Sequence, residues 1–305
     1  MSEVLHEVHV ISGSDRNMEP CLNLMVDSCA RHLRPGWTAI FHLYVKDFGP
    51  AERRRLEETV AAHEGRARLD LHDVDQMELG VGKGIAGNMM CYVVLGAFEQ
   101  TPASHAIWID ADMIVLTDIV PALEALQASD KIAAAVSRRP LRESHPMERE
   151  MMKAYGMSDE DRFFNSAFVV ADCDDYRARN GYQETLMFME KHPEQGDQGA
   201  LNWFFMHRAL WLDPKYNVPH WPHQKAEAAA AETHDQVVHF IGSPKPWDVG
   251  GRLFHANRSA FAAAMRQSAF QRHYDRWRFN AARWKRFLRL APRYGKLAKA
   301  KLKPS

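Results

Sequence analysis

HAIWIDADMIVLTDI, residues 105–119, sets two carboxylates, Asp110 and Asp112, directly after a strand-forming run of Ile107, Trp108 and Ile109. A second apolar run follows at once. An acid after a strand is often a turn former or a helix cap. Two of them in the pattern Asp-x-Asp have a sharper reading if the strand belongs to an open α/β sheet, because ligands bind in the crevice beyond the carboxyl ends of such strands. Hard oxygen donors suit Mg²⁺ or Mn²⁺ bridging phosphates. The surrounding chain decides between the two readings.

Upstream, strand and helix signals alternate. VHVIS (8–12) reads as a first strand, and CLNLMVDSCARHL is a one-faced helix stopped by Pro35-Gly36. WTAIFHLYV is a second strand, PAERRRLEETVAAH a helix opened by Pro50, and ARLDLHDV a third strand. This alternation predicts a doubly wound α/β sheet. The glycines of GVGKGIAGN (80–88) do not directly follow the first strand, so they form no dinucleotide fingerprint and read as a loop, with contact to a ligand as the alternative. CYVVLGAFEQ then predicts a helix leading into the Asp-x-Asp strand. Downstream come a helix at PALEALQ, a strand KIAAAVS, an exposed loop over 139–161, a strand FFNSAFVVAD, and helices at YQETLMFMEKH and GDQGALNWFFM. A surface segment over 219–235 precedes a late strand, QVVHFIG.

Composition sets the bounds. The 305 residues, 46% apolar and 26% charged, suffice for a substantial soluble core. Four cysteines, Cys21, Cys29, Cys91 and Cys173, show neither Cys-x-x-Cys nor zinc-finger spacing, and read as reduced core residues. The start MSEVLHEVHV lacks the basic and apolar blocks of a secretory signal. No apolar run approaches the roughly 20 residues of a membrane helix. A cytoplasmic protein is expected.

Four separated pieces, WIDADMIVLTDI, FFNSAFVVADCDDYR, GDQGALNWFF and VVHFIGSPKPW, together resemble glycosyltransferase family 8, from the first strand to about residue 247. The last piece follows the family spacing His-x-x-Gly-x-x-Lys-Pro-Trp through His239, Gly242, Lys245, Pro246 and Trp247. The resemblance implies a GT-A fold and a retaining hexosyltransferase that moves galactose or glucose from a UDP-sugar to a glycan or glycolipid, as in bacterial lipopolysaccharide synthesis. It implies Asp110, Asp112 and His239 as ligands of Mn²⁺ or Mg²⁺, the imidazole favouring Mn²⁺. Ala111 would lie along the donor, Gly242 would let backbone N–H groups approach a phosphate, and Lys245 would put a charge on the leaving diphosphate. Asn165 and Ser166 match the donor-sugar position, and Asp197 and Gln198 the pair beside the anomeric carbon. Ser12 and Asp15 fall where the family cradles the nucleoside. The chain departs from the pattern at Ala167, usually Gly, at Met18, often Tyr, and at Val94, usually a donor-contacting Arg. Lys83 and Arg138 are the nearest substitutes.

Two regions follow: a transferase domain over 1–258 and a basic, aromatic helical tail over 259–305. Residues 272–305 hold twelve Lys and Arg against one acid, Asp275. Trp277, Ala281, Trp284, Leu288 and Ala291 would share one helical face until Pro292, flanked by Arg278, Arg283, Lys285, Arg286 and Arg289. That pattern predicts an interfacial helix on anionic lipid, with packing against the body as the alternative. Nucleic acid is not expected, since the body is acidic and carries no recognition motif. Two competing functions remain at this stage. Asp-x-Asp also opens haloacid-dehalogenase-type phosphatases, though Ile114 stands where that motif wants Thr or Val and HFIGSPKPW is left unexplained. A non-catalytic nucleotide- or glycan-binding module would dispense with the Asp197-Gln198 pair.

Overall fold

The computed structural model describes residues 6–74, 89–223, 235–278 and 280–302. The segment 80–88 with Lys83, the Ala-Glu run after residue 225 and the side chain of Arg138 lie outside that description.

Alternation along the strands builds the molecule in layers. Strands β1 (His6–Asp15), β2 (Trp37–Lys46), β3 (Ala67–Asp73) and β4 (His105–Ile109) are parallel. β5 (Met113–Val115) leaves for a second sheet. β6 (Ala133–Pro140), β7 (Arg162–Asp172) and β8 (Ala209–Trp211) complete a seven-stranded sheet in the order β3-β2-β1-β4-β7-β6-β8, in which β7 runs antiparallel to both neighbours. Val8 and Val10, Phe41 and Leu43, and Ile107 and Ile109 point to one face, where helices α1 (Glu19–His32), α2 (Pro50–Ala61) and α4 (Val120–Gln127) cover them. Ile11, Tyr44, Trp108 and Val169 point to the other, beneath α3 (Val93–Gln100), α5 (Pro146–Ala154), α6 (Cys173–Ala178), α7 (Gly181–Lys191) and α8 (Gly196–Phe204). The period of two thus sorts apolar residues between two cores. The sheet is mixed and doubly wound, as the sequence predicts.

The second sheet has three strands, β5-β10-β9, with β9 at Val218–His220 and β10 at Val237–Phe240. A third core lies behind it, where Ile114, Phe240 and Trp247 meet Cys21 and Leu24 of α1. After the short α9 (Gly251–Phe254), helices α10 (Arg258–Gln267) and α11 (Gln271–Arg278) add Phe261, Met265, Phe270, Tyr274 and Trp277 to this core. α12 (Ala281–Leu302) then runs along the body.

The tail departs from its predicted helical face. Asn280 separates α11 from α12 and accepts the Arg283 N–H through its side chain, so Trp277 belongs to the earlier helix and is buried. Pro292 lies within α12, which continues to Leu302. The buried stripe is Arg283, Leu290, Tyr294 and Leu297, whereas Trp284 and Leu288 are exposed by 45% and 70%. Two of the flanking cations turn inward: Arg283 lies over the Trp277 ring and donates to Asn17 Oδ1 at 2.6 Å, and Arg286 donates to Asp248 Oδ1 at 2.5 Å.

Candidate active site

Strand order places the site. β1 lies between β2 and β4, so the connections diverge to either side of the β1/β4 gap, which is the switch point where doubly wound sheets take ligands. A cleft of about 430 Å³ opens there, walled by Ser14 and Asp15 from β1, Asp110 and Asp112 after β4, and Asp197 and Gln198 from the first turn of α8. Gly13, Met18, Met90, Trp108, Ala111, Ser166 and Gln195 also line it.

Backbone pairing assembles the carboxylates with partners far away in sequence. Asp110 N–H donates to Ala167 O at 2.9 Å, which brings Ser166 of β7 alongside. β10 runs antiparallel to β5 with His239 opposite Met113, and Phe240 N–H donates to Asp112 O at 3.2 Å. His239 Nε2 therefore stands 3.3 Å from Asp112 Oδ1. Lys245 Nζ stands 2.7 Å from Asp112 Oδ2 and also donates to Phe240 O. The loop carrying Lys245 is pinned by its own N–H, which donates to Asp248 Oδ2 at 2.8 Å. Asp248 in turn receives Arg286 of the tail.

Hydrogen bonds continue from this cluster to the opposite wall. His239 Nδ1 lies 3.0 Å from Asn217 Oδ1, Asn217 Nδ2 donates to Asn165 Oδ1 at 3.0 Å, and Asn165 Nδ2 donates to Gln198 Oε1 at 2.8 Å. The amide oxygen of Asn217 accepts from His239 Nδ1–H, which leaves the Nε2 lone pair facing the carboxylates. Ser166 Oγ donates to Asp197 Oδ2 at 2.8 Å. Asn202, one turn along α8, bonds both the N–H and the carbonyl of Phe164 at 2.9 Å and fixes the helix to β7.

The charges are out of balance without a cation. Burial raises the Asp110 carboxyl well above its ordinary range, and the neighbouring Asp112 and Asp197 add to the shift. Burial pushes Asp112 the same way, but Lys245, joined by His239 when its ring is protonated, outweighs it and holds that group ionised. Burial also raises Asp197, against the Ser166 bond. Candidate ligand atoms of Asp110, Asp112 and His239 lie within 4.8 Å of one another, and Asp112 Oδ1 is buried with no hydrogen-bond partner among the described residues. Two carboxylates and an imidazole with an unsatisfied oxygen fit a divalent ion.

Of the residues singled out by sequence, Asp15, Asp110, Ala111, Asp112, Ser166, Asp197 and Gln198 line one cleft, and His239, Asn165 and Lys245 bond to its walls. Ser12 does not reach it. It is fully buried two residues deeper in β1, on the same face as Ser14, which stands at the wall. Gly242 lies at the end of β10 with φ of +76°, a backbone region that favours glycine. Asn217 and Asn202 escaped sequence reading, since lone asparagines in a loop and a helix carry no spacing signal. Gly13 did too: a Cβ there would meet Trp108 and Val93 at 3.2 Å. Val94, at the expected arginine position, is buried in the core.

A mixed α/β sheet with paired acids at its switch point, completed by a distant His and Lys, is the arrangement of a GT-A glycosyltransferase. The pattern of glycosyl transferase family 8 matches residues 15–250, and the chain belongs to that family. It is 24% identical to general stress protein A of Bacillus subtilis (strain 168), over 79% of this chain and 87% of that one. It is 21% identical to lipopolysaccharide 1,3-galactosyltransferase of Salmonella typhimurium, over 69% of this chain and 64% of that protein. The fold matches galactosyltransferase LgtC, solved with donor and acceptor sugar analogues, with a TM-score of 0.66 at 16% identity, covering 86% of this chain and 96% of that one. Family membership sets aside the phosphatase reading. No helix among the described residues is long and apolar enough to cross a membrane.

Proposed function

We propose that the protein is a metal-dependent retaining hexosyltransferase that moves galactose or glucose from a UDP-sugar to a glycan or glycolipid acceptor, in the manner of lipopolysaccharide or other surface-polysaccharide synthesis. The observation that carries this reading is the meeting of Asp110, Asp112, His239 and Lys245 opposite Gln198 across one cleft. Asp110, Asp112 and His239 would hold Mn²⁺ or Mg²⁺, which when bound supplies positive charge to a leaving nucleoside diphosphate.

The remaining chemistry belongs to the chain's own groups. Asp15 is held toward the turn after β1 by the Asn17 backbone N–H at 2.8 Å, and offers a carboxylate to a nucleobase N–H. Lys245 offers a point charge to the departing diphosphate. Ser166 and Asn165 offer polar atoms to the donor hydroxyls. The Asn165 bond orients the Gln198 amide, whose oxygen keeps a second lone pair for the oxocarbenium-like carbon. Asp197, its carboxyl raised by burial and held by Ser166, adds a partial negative charge to that face. On the retaining route the departing phosphate oxygen takes the acceptor proton on the side from which the acceptor attacks.

In this reading residues 1–258 carry the transferase machinery, and the described residues of the 259–305 tail dock onto it while facing outward with Trp284, Leu288, Lys285 and Arg289. That outer face suits an anionic lipid surface, and hence a peripheral place on the inner leaflet of a cell membrane. Calorimetric titration of UDP with Mn²⁺, with EDTA and with Asp112→Asn tests the central claim. UDP binding that survives both EDTA and the substitution would overturn it.

A further inference from the structure

Away from the cleft, the edge of the large sheet carries polar residues where its other positions pack into a core. His9 on β1, His42 and Tyr44 on β2, and Asp70 and His72 on β3 fall on one face by strand alternation, with Leu69 and Leu71 on the opposite one. His42 is paired with Asp70 and Tyr44 with His72 in the parallel register. Asp70 Oδ2 lies 2.9 Å from His42 Nδ1 and 3.0 Å from His72 Nε2.

We propose that His42, Asp70 and His72 form a second metal site, separate from the transferase cleft, for a late first-row divalent ion such as Zn²⁺. One ligand atom from each of the three residues falls within 4.8 Å of the others. Ligand atoms about 2.0–2.1 Å from a tetrahedral ion stand roughly 3.4 Å apart, so the two measured separations need only a small expansion. His72 Nε2 is buried, with Asp70 Oδ2 as its neighbour at 3.0 Å. The Tyr44 ring stacks on His72 at 4.7 Å and fixes its orientation.

His9 supplies the outer support that a metal-bound imidazole needs. Its Nδ1 lies 2.8 Å from His42 Nε2. With the His42 Nδ1 lone pair given to an ion, the proton sits on Nε2 and is donated to His9, which sets both tautomer and ring angle. Two imidazoles and one carboxylate favour Zn²⁺, Co²⁺ or Cu²⁺ over Mg²⁺. The His42 side chain is 3% exposed, while His72 and Asp70 are 35% and 47% exposed, so the site is closed inward and open to water outward. An ion there ties the edge strand β3 to β2, at the start of the chain that runs on to Met90 in the cleft.

The test uses the full chain with Asp112→Asn, which disables the cleft, stripped of metal and dialysed against Zn²⁺. One bound Zn²⁺ per chain is expected, and the stoichiometry falls to zero when His72→Ala or Asp70→Asn is added. His9→Ala is expected to keep the stoichiometry and weaken affinity about 10- to 100-fold. Co²⁺ in place of Zn²⁺ should show four-coordinate ligand-field absorption that His72→Ala removes. Circular dichroism confirms that each variant is folded. No bound Zn²⁺ in the Asp112→Asn chain, or binding unaffected by both His72→Ala and Asp70→Asn, would overturn the proposal whatever the outcome at the cleft.

Discussion

The ammonium of Lys245 lies 2.7 Å from Asp112 Oδ2, joining residues 133 apart in the chain. The pair divides two jobs that a single substitution can separate. On the proposed mechanism Asp112 would hold a cation, whereas Lys245 would neutralise charge on the leaving group. Lys245→Ala should lower kcat about 10²–10³-fold, the range for losing one preorganised charge-stabilising donor. The Mn²⁺ concentration for half-maximal rate should not rise in that variant, but should rise sharply in Asp112→Asn. Steady-state rates across a Mn²⁺ titration separate the two, and an equal rise in both variants contradicts the division.

Asn217 acts behind His239. Its amide oxygen fixes the imidazole through Nδ1 at 3.0 Å, and its amide nitrogen continues the chain of bonds toward Gln198. Asn217→Ala should weaken Mn²⁺ about 10- to 100-fold, the usual loss when support behind a ligand is removed. Mn²⁺ titration followed by electron paramagnetic resonance reads this directly. Unchanged affinity would show that β9 and β10 hold the ring unaided.

Gly251 has no room for a side chain. A Cβ there would stand 1.9 Å from the carbonyl oxygen of Lys245, so the backbone must move. Gly251→Ala should cost about 1–3 kcal/mol in urea unfolding. It should also lower kcat/KM, because the displaced loop carries the ammonium. Full activity in a destabilised variant would detach this loop from catalysis.

His220 gives a pH dependence of known sign. Burial pushes its imidazole from the ordinary 6.5 down to about 4. Below pH 6.5 the unfolded chain takes up a proton that the folded chain refuses, so stability falls as pH drops and levels off below about 4. The gap is worth about 3 kcal/mol at roughly 1.36 kcal/mol per unit. Melting midpoints between pH 7.5 and pH 4.5 should fall more for the native chain than for His220→Phe. Parallel curves would count against the shift.

Much of this architecture was legible beforehand, and the residues show why. Apolar runs with period two around Val10, Phe41 and Ile107 dictate strands, and helices between them dictate parallel order. His239, Gly242 and Lys245 stand out in the sequence because their spacing resembles that of the family. Ser12 and Ser14 share a face of β1 by alternation, so only the depth along the strand decides which serine stands at the cleft, and that depth is not legible in the sequence. Asn217 stayed hidden because a side-chain relay depends on where a loop lands in space. The tail misled for a similar reason: periodicity alone cannot show that Asn280 breaks the helix or that Asp248 and Asn17 await Arg286 and Arg283.

The short step from β4 to β5 carries Asp110 and Asp112 from the large sheet to the small one, whose next strand supplies His239. A growing chain that has made everything up to β9 therefore owns both carboxylates and still lacks the groups that balance them. Competence arrives late, when β10 closes onto β5. A cation and nucleotide that bind this completed cleft would stabilise only finished molecules, so on the proposed function the donor would double as an inspector of folding as well as a reagent.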